Sequence, residues 1–146
     1  MADRTESTIT VAAPPPEVMA VIADFEAYPQ WTTEVKDVEV LSRHGGEGAR
    51  AHRVHFVLDA GAIKDSYILA YEWPDASAVS WSLVEAQMLT AMDGGYSLRD
   101  NGDGTTAVTY RLAVDVKMPM IGLIKRKAER VVVERALRGL KQRVES

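Results

Sequence analysis

The side chains suited to proton or metal chemistry are few in this chain of 146 residues. There is no cysteine, which excludes disulfides, thiolate-held metals and a thiolate nucleophile. His52 and His55 stand three residues apart. On a strand that spacing points them to opposite faces, so no metal site is expected of them. His55 is a candidate acid–base group if its face lines a cavity, because an imidazole titrates near neutrality. The plainer reading is a surface histidine. His44 sits beside a glycine turn and reads as exposed. Asp59, Asp65 and Asp93 lie on or beside strands, where solvent exposure or capping of strand ends is the ordinary role. A carboxylate in an apolar pocket has a raised pKa and can move protons. Asp65 is the candidate for that, since it shares a strand face with Tyr67.

Other chemistry has no motif to carry it. Gly95-Tyr96-Ser97-Leu98-Arg99 lacks the second glycine of a nucleophile elbow. Neither a P-loop nor Gly-x-Gly-x-x-Gly occurs. Asn101-Gly102-Asp103-Gly104 is too short for a calcium loop and reads as a turn. No cofactor is expected.

A larger set is suited to apolar binding. Trp31, Phe56, Tyr67, Trp81, Met88, Met92, Tyr96 and Tyr110 come from different elements, and each alone could simply fill a core. As a set they suit a cavity wall, with Tyr67, Tyr96 and Tyr110 supplying hydroxyls and methionine adapting to varied ligands.

The elements that position these residues follow from periodicity. Ser7 to Ala12 alternates as a strand, and Pro14-Pro15-Pro16 stops it. Proline suits a first helical turn and Glu17 its positive end, so a short helix runs to Asp24. Phe25, Tyr28 and Trp31 recur every third residue, which fits a second short helix broken at Pro29. From Glu34 the period becomes two. Strands are expected through Val38 and Val40, over 49–59, over 63–73, around Val79 to Val84, over 88–99, and from Thr106 to Lys117. The Gly94-Gly95 pair suggests a bulge or bend. Pro119 ends the last strand. Met120 to Val144 reads as the one long helix, with Ile121, Ile124, Ala128, Val132, Ala136 and Leu140 along one stripe.

Every strand link after the short helices reads as a hairpin, so an antiparallel sheet of seven strands is expected. Seven strands spread over roughly 30 Å, while one helix is about 10 Å wide. The sheet must curl to be covered, which gives an α+β helix-grip fold in a single domain spanning 1–146. Curling leaves a cavity between sheet and helix, the default place for a small molecule.

Composition agrees with a globular chain, at 47% hydrophobic and 26% charged residues. The polar start of the chain is unlike a signal peptide, and no apolar run is long enough to span a membrane. A soluble cytoplasmic protein is the expectation. The net charge of -4 argues against a DNA partner. It divides unevenly: residues 125–146 hold eight basic and three acidic side chains, net +5, against -9 for the rest. A solvated outer helix face is the plain reading. Contact with an anionic membrane or RNA is the sharper one.

Ala13-Pro14-Pro15-Pro16-Glu17-Val18 and Asp24-Phe25-Glu26-Ala27-Tyr28-Pro29-Gln30-Trp31 resemble the opening of the START/Bet v 1-like superfamily, in its polyketide cyclase/dehydrase and coenzyme Q-binding branch. Val114-Asp115-Val116-Lys117-Met118-Pro119-Met120-Ile121-Gly122, running into a basic helix, is similar to the actinobacterial members. The resemblance covers the whole chain and implies a helix grip around a hydrophobic pocket. It implies no single reaction, because the superfamily hosts carriers, cyclases and hydrolases. Its aromatase/cyclases orient a polyketone with pocket arginines and tyrosines, and none of Arg53, Arg99 and Arg111 matches an arginine motif of theirs. Three functions follow as expectations. The first is binding of a lipid, isoprenoid or polyketide-like molecule, with Phe25 to Trp31 at the pocket mouth. The second is a cyclase or dehydratase in the same cavity. The third is an interaction protein using the basic helix.

Overall fold

The computed structural model describes residues 5–46, 49–61, 64–117 and 122–146. The period-two stretches form β1 (Thr5–Val11), β2 (Val35–Arg43), β3 (Ala51–Asp59), β4 (Lys64–Asp75), β5 (Ala78–Ala86), β6 (Leu89–Asp100) and β7 (Thr106–Val116). They make one antiparallel sheet in the order β1-β7-β6-β5-β4-β3-β2. The helices are α1 (Pro15–Ala23), a 3₁₀ helix (Phe25–Gln30) and α2 (Gly122–Glu145). This is the helix-grip arrangement. No described helix is long and apolar enough to cross a membrane.

Local sequence explains the ends and bends. α1 begins on Pro15 and Pro16 with Glu17 in its first turn, where missing N–H groups cost nothing and a carboxylate meets the positive end of the dipole. Pro29 sits inside the 3₁₀ helix and does not break it. The bonds there run to Tyr28 O from Trp31 N and Thr32 N, and from Ala27 N to Asp24 O, so none needs a donor at position 29. Register shifts in the β2–β3, β4–β5 and β6–β7 pairs accompany the curl of the sheet. The Gly94-Gly95 pair is not one of them, so of the bulge or bend expected there the bulge is absent. Its register with β7 is regular, Gly94 opposite Leu112 and Gly95 opposite Arg111. The reason for glycine is space: a Cβ at Gly94 would lie 2.2 Å from the Arg111 carbonyl oxygen and 2.8 Å from Trp81 Cζ2.

The concave face of the sheet holds Val54, Phe56, Leu58, Tyr67, Leu69, Tyr71, Val79, Trp81, Tyr96 and Tyr110, all buried. α2 covers it with Ala128, Val133, Ala136, Leu137 and Leu140. Glu129 stands on the same helix and is 0% exposed. Its carboxylate accepts from Val114 N at 2.7 Å and Thr5 Oγ1 at 3.0 Å. Residues 118–121 lie outside the described part, so the expectations for Pro119 and Ile121 are not addressed, and Ile63, the expected start of the 63–73 strand, is likewise outside it.

Candidate functional site

Between the sheet and α2 lies a cavity of about 50 Å³. All five tyrosines of the chain line it, with Trp31, Phe56, Trp81 and Met92. Strand alternation puts Tyr67 and Tyr71 on the same face of β4. Pairing across β6 and β7 sets Tyr96 directly opposite Tyr110. The rings interlock: Tyr96–Tyr110 centroids are 4.6 Å apart, Trp81–Tyr110 5.5 Å and Phe56–Tyr67 5.6 Å. Contacts of this kind are worth ~0.5–1.5 kcal/mol each beyond burial. The expected roomy chamber is therefore largely filled. At ~10–15 Å³ per water the remaining space holds a few solvent molecules.

The wall is apolar, with a definite set of polar groups. Tyr28 donates to the Ile22 carbonyl at 2.5 Å, which fixes the 3₁₀ helix to α1. The hydroxyls of Tyr67, Tyr71, Tyr96 and Tyr110 are bonded to no other described residue. Burial pushes all five phenols above their ordinary pKa, and neighbouring tyrosines add to the shift at Tyr28, Tyr67, Tyr71 and Tyr96. They are neutral donors. Trp31 Nε1 is buried without an acceptor among the described residues. One carboxylate reaches the wall, that of Glu34, and Arg135 Nη1 on α2 donates to its Oε2 at 2.5 Å. That pair joins the segment after the 3₁₀ helix to the covering helix. A few residues further along α2, Gly139 lies so close to Trp31 that a Cβ there would meet the Trp31 carbonyl oxygen at 1.9 Å.

Of the residues singled out from sequence, Trp31, Phe56, Tyr67, Trp81, Met92, Tyr96, Tyr110 and Val132 come together around this cavity. Ala128 is buried, though outside the lining. Met88 and Ile124 are corrections, since each is 45% exposed. Met88 stands in the turn before β6, ahead of the strand's alternation, and Ile124 lies in the first turn of α2, before the helix meets the sheet. Ile121 falls outside the described residues.

The two acid–base candidates are corrected as well. His55 sits opposite Ile68 on the convex face and pairs with Ser66 Oγ at 2.7 Å, away from the cavity. Asp65 is buried but is not in the lining. Its carboxylate accepts from the backbone N–H groups of Ser66, Gln87, Met88 and Leu89 at 2.8–3.2 Å. Burial alone would raise its pKa, but the bonds to Leu89, Met88, Ser66 and Gln87 together outweigh it and hold the carboxyl below the ordinary range. Asp65 thus ties the β5–β6 turn to β4 and stays ionised. Arg53 and Arg99 are exposed, and Arg111 donates to Ser97 Oγ at 3.0 Å. Among the described residues the lining contains no histidine, lysine or arginine.

Tyr28 lies in the Phe25–Trp31 segment expected at the pocket mouth, whereas sequence reasoning did not single out Tyr71, Thr32 and Glu34 for the wall. Tyr71 was within reach, four residues from Tyr67 on the same strand face. Glu34 was not, because its partner lies 101 residues away. The pairing of histidines was also missed. His44, His52 and Glu72 each offer a donor atom within 4.8 Å of the others, a set of the kind that holds zinc. The β3–β4 ladder ends at Arg53–Ala70, and His44 Nε2 lies 2.6 Å from the Tyr71 carbonyl oxygen beyond it. That bond is a structural reason for the ring's position.

A curled antiparallel sheet closed by one C-terminal helix over an aromatic cavity defines a helix-grip protein. The chain belongs to the polyketide cyclase / dehydrase and lipid transport family, whose model matches residues 2–145. No curated protein matches it. Among solved structures it is similar to a START superfamily protein from Mycobacterium smegmatis, at 26% identity and TM-score 0.87 over 97% of each chain. It is similar to a protein of Thermus thermophilus at 26% identity and TM-score 0.82, over 98% of this chain and 97% of that one. It also resembles the Zhui aromatase/cyclase from Streptomyces sp. R1128 in fold, at 20% identity and TM-score 0.79, over 99% and 94% of the two chains.

Proposed function

We propose that the protein binds a hydrophobic or amphipathic small molecule, a lipid, isoprenoid or polyketide-like compound, between the sheet and α2. The observation that carries this reading is the cavity wall, where all five tyrosines converge and four hydroxyls have no partner among the described residues. A solid core gains nothing from phenols in such places, since buried polar groups are ordinarily bonded. A cavity of about 50 Å³ is smaller than benzene requires, so the ligand's arrival must widen it. The route is between Thr32–Val35 and the Val132–Ala136 stretch of α2, held shut by the Glu34–Arg135 pair. Arginine on the solvent side can swing away at small cost, its side chain being 56% exposed.

Cyclisation of a poly-β-ketone needs a group in the cavity that exchanges protons. His55 and Asp65 lie elsewhere, and Glu34 is ion-paired, so the wall supports binding over turnover. Native mass spectrometry of the purified protein, with solvent extraction of whatever it carries, tests the reading. It predicts one apolar molecule per chain, or saturable 1:1 uptake of the neutral probe N-phenyl-1-naphthylamine. A protein that carries nothing and takes up no neutral apolar probe would overturn it.

A further inference from the structure

Resting on that binding reading, we infer that the cavity selects uncharged molecules bearing a hydrogen-bond acceptor, which is seated on the Trp31 indole N–H, and that it rejects carboxylates. Two independent features lead there. The first is the orphan donor. Besides the four unpartnered tyrosine hydroxyls, Trp31 Nε1 is a buried side-chain donor without a partner among the described residues, and Trp31 belongs to the cavity wall. Trp73 differs, since its Nε1 donates to the Ala51 carbonyl at 2.8 Å. A buried N–H that the protein leaves unpaired is matched by water or by a ligand oxygen. With the phenols of Tyr67, Tyr71, Tyr96 and Tyr110, the wall is rich in donors, each with its proton held by a raised pKa. Such a wall complements ketone, ester or quinone oxygens.

The second feature is charge. Among the described residues the lining has no cation to meet an anion, and its one ionic group, Glu34, is itself a carboxylate. Arg135 lies on the solvent side of Glu34 and is already engaged by it. A carboxylate ligand would lose its hydration, find no counter-ion and face Glu34 across a low-dielectric space. A fatty acid anion is therefore the wrong occupant, although its chain is apolar. The same reasoning makes a plain hydrocarbon a poor one, because it offers the Trp31 N–H no acceptor.

Three probes of nearly one shape separate these properties: acetophenone, α-methylstyrene and benzoate. Their affinities are measured at pH 7 by ¹H–¹⁵N NMR titration, which also reports the indole N–H of each tryptophan. Trp31→Phe identifies the Trp31 signal by its loss. The expected order is acetophenone first, α-methylstyrene roughly threefold to tenfold weaker, and benzoate weakest. The Trp31 indole signal moves with acetophenone and not with α-methylstyrene. Trp31→Phe removes the preference of ketone over hydrocarbon while hydrocarbon binding persists, and Glu34→Gln narrows the gap to benzoate. Equal binding of ketone and hydrocarbon, or benzoate binding as well as acetophenone, overturns the inference and leaves apolar binding standing. No binding of any probe overturns both.

Discussion

At the scale of single residues, carboxylates and phenols have been assigned structural tasks that set the protein's pH limits. Asp65 accepts four backbone bonds and has a depressed pKa. A depressed carboxyl adds stability above its unfolded pKa of about 4 and loses it as pH falls through the folded value. Asp65→Asn trades an acceptor for a donor facing N–H groups. It should cost ~1–3 kcal/mol in urea unfolding at pH 7, and the difference from the wild type should shrink below pH 4. The tyrosines work at the other end. Their folded pKa values lie above the unfolded value of about 10, so their contribution is full below pH 10 and falls as pH rises beyond it. Tyrosinate absorbance should therefore appear together with alkaline unfolding in a single transition, and tyrosinate forming in the folded protein near pH 10 would contradict the burial of the rings.

At the scale of elements, close approaches decide more than propensities do. Gly139 brings α2 against the Trp31 backbone, and the obstructing atom is a carbonyl oxygen that cannot rotate aside. Gly139→Ala should destabilise by ~1–3 kcal/mol through overpacking, despite alanine's better helix propensity. A stabilised variant in thermal unfolding would show that the approach is wrong. The strands, their order and the covering helix were legible because each follows a local rule, period two, a turn, or a 3.6-residue stripe. Gly94 was legible as special but not for its reason, since the obstructing Trp81 and Arg111 belong to neighbouring strands. The wall was half legible for the same cause. Alternation placed Phe56, Tyr67, Tyr96 and Tyr110 correctly inward, but said nothing of where an element begins. Met88 and Ile124 lie at such beginnings and ended outside. Glu129 looked like one more charge on a solvated face, and only the position of β7 shows that it bonds Val114.

At the scale of the whole molecule, the charge division and the cavity are connected. Among the described residues, Lys125 of α2 pairs with Asp115 and Arg135 with Glu34, while Lys141 pairs with Glu145 of the same helix and donates to the Thr10 carbonyl on β1. The +5 of the helix thus partly serves to fasten it to the -9 body. The Glu34–Arg135 fastening is the one at the cavity, so it should govern exchange more than affinity. Arg135→Gln should speed both uptake and release of a neutral probe several-fold in stopped-flow fluorescence, with Kd changed less than either rate. Unchanged rates would mean that access lies elsewhere.

The claim that a ligand resides between sheet and helix is tested most directly by intermolecular NOEs to a bound neutral aromatic ketone. The predicted result is contacts from ligand protons to the rings of Tyr67, Tyr96 and Tyr110 and to the Val132 methyls. Contacts confined to exposed apolar side chains such as Leu41, Val84, Met88 and Ile124 would contradict it.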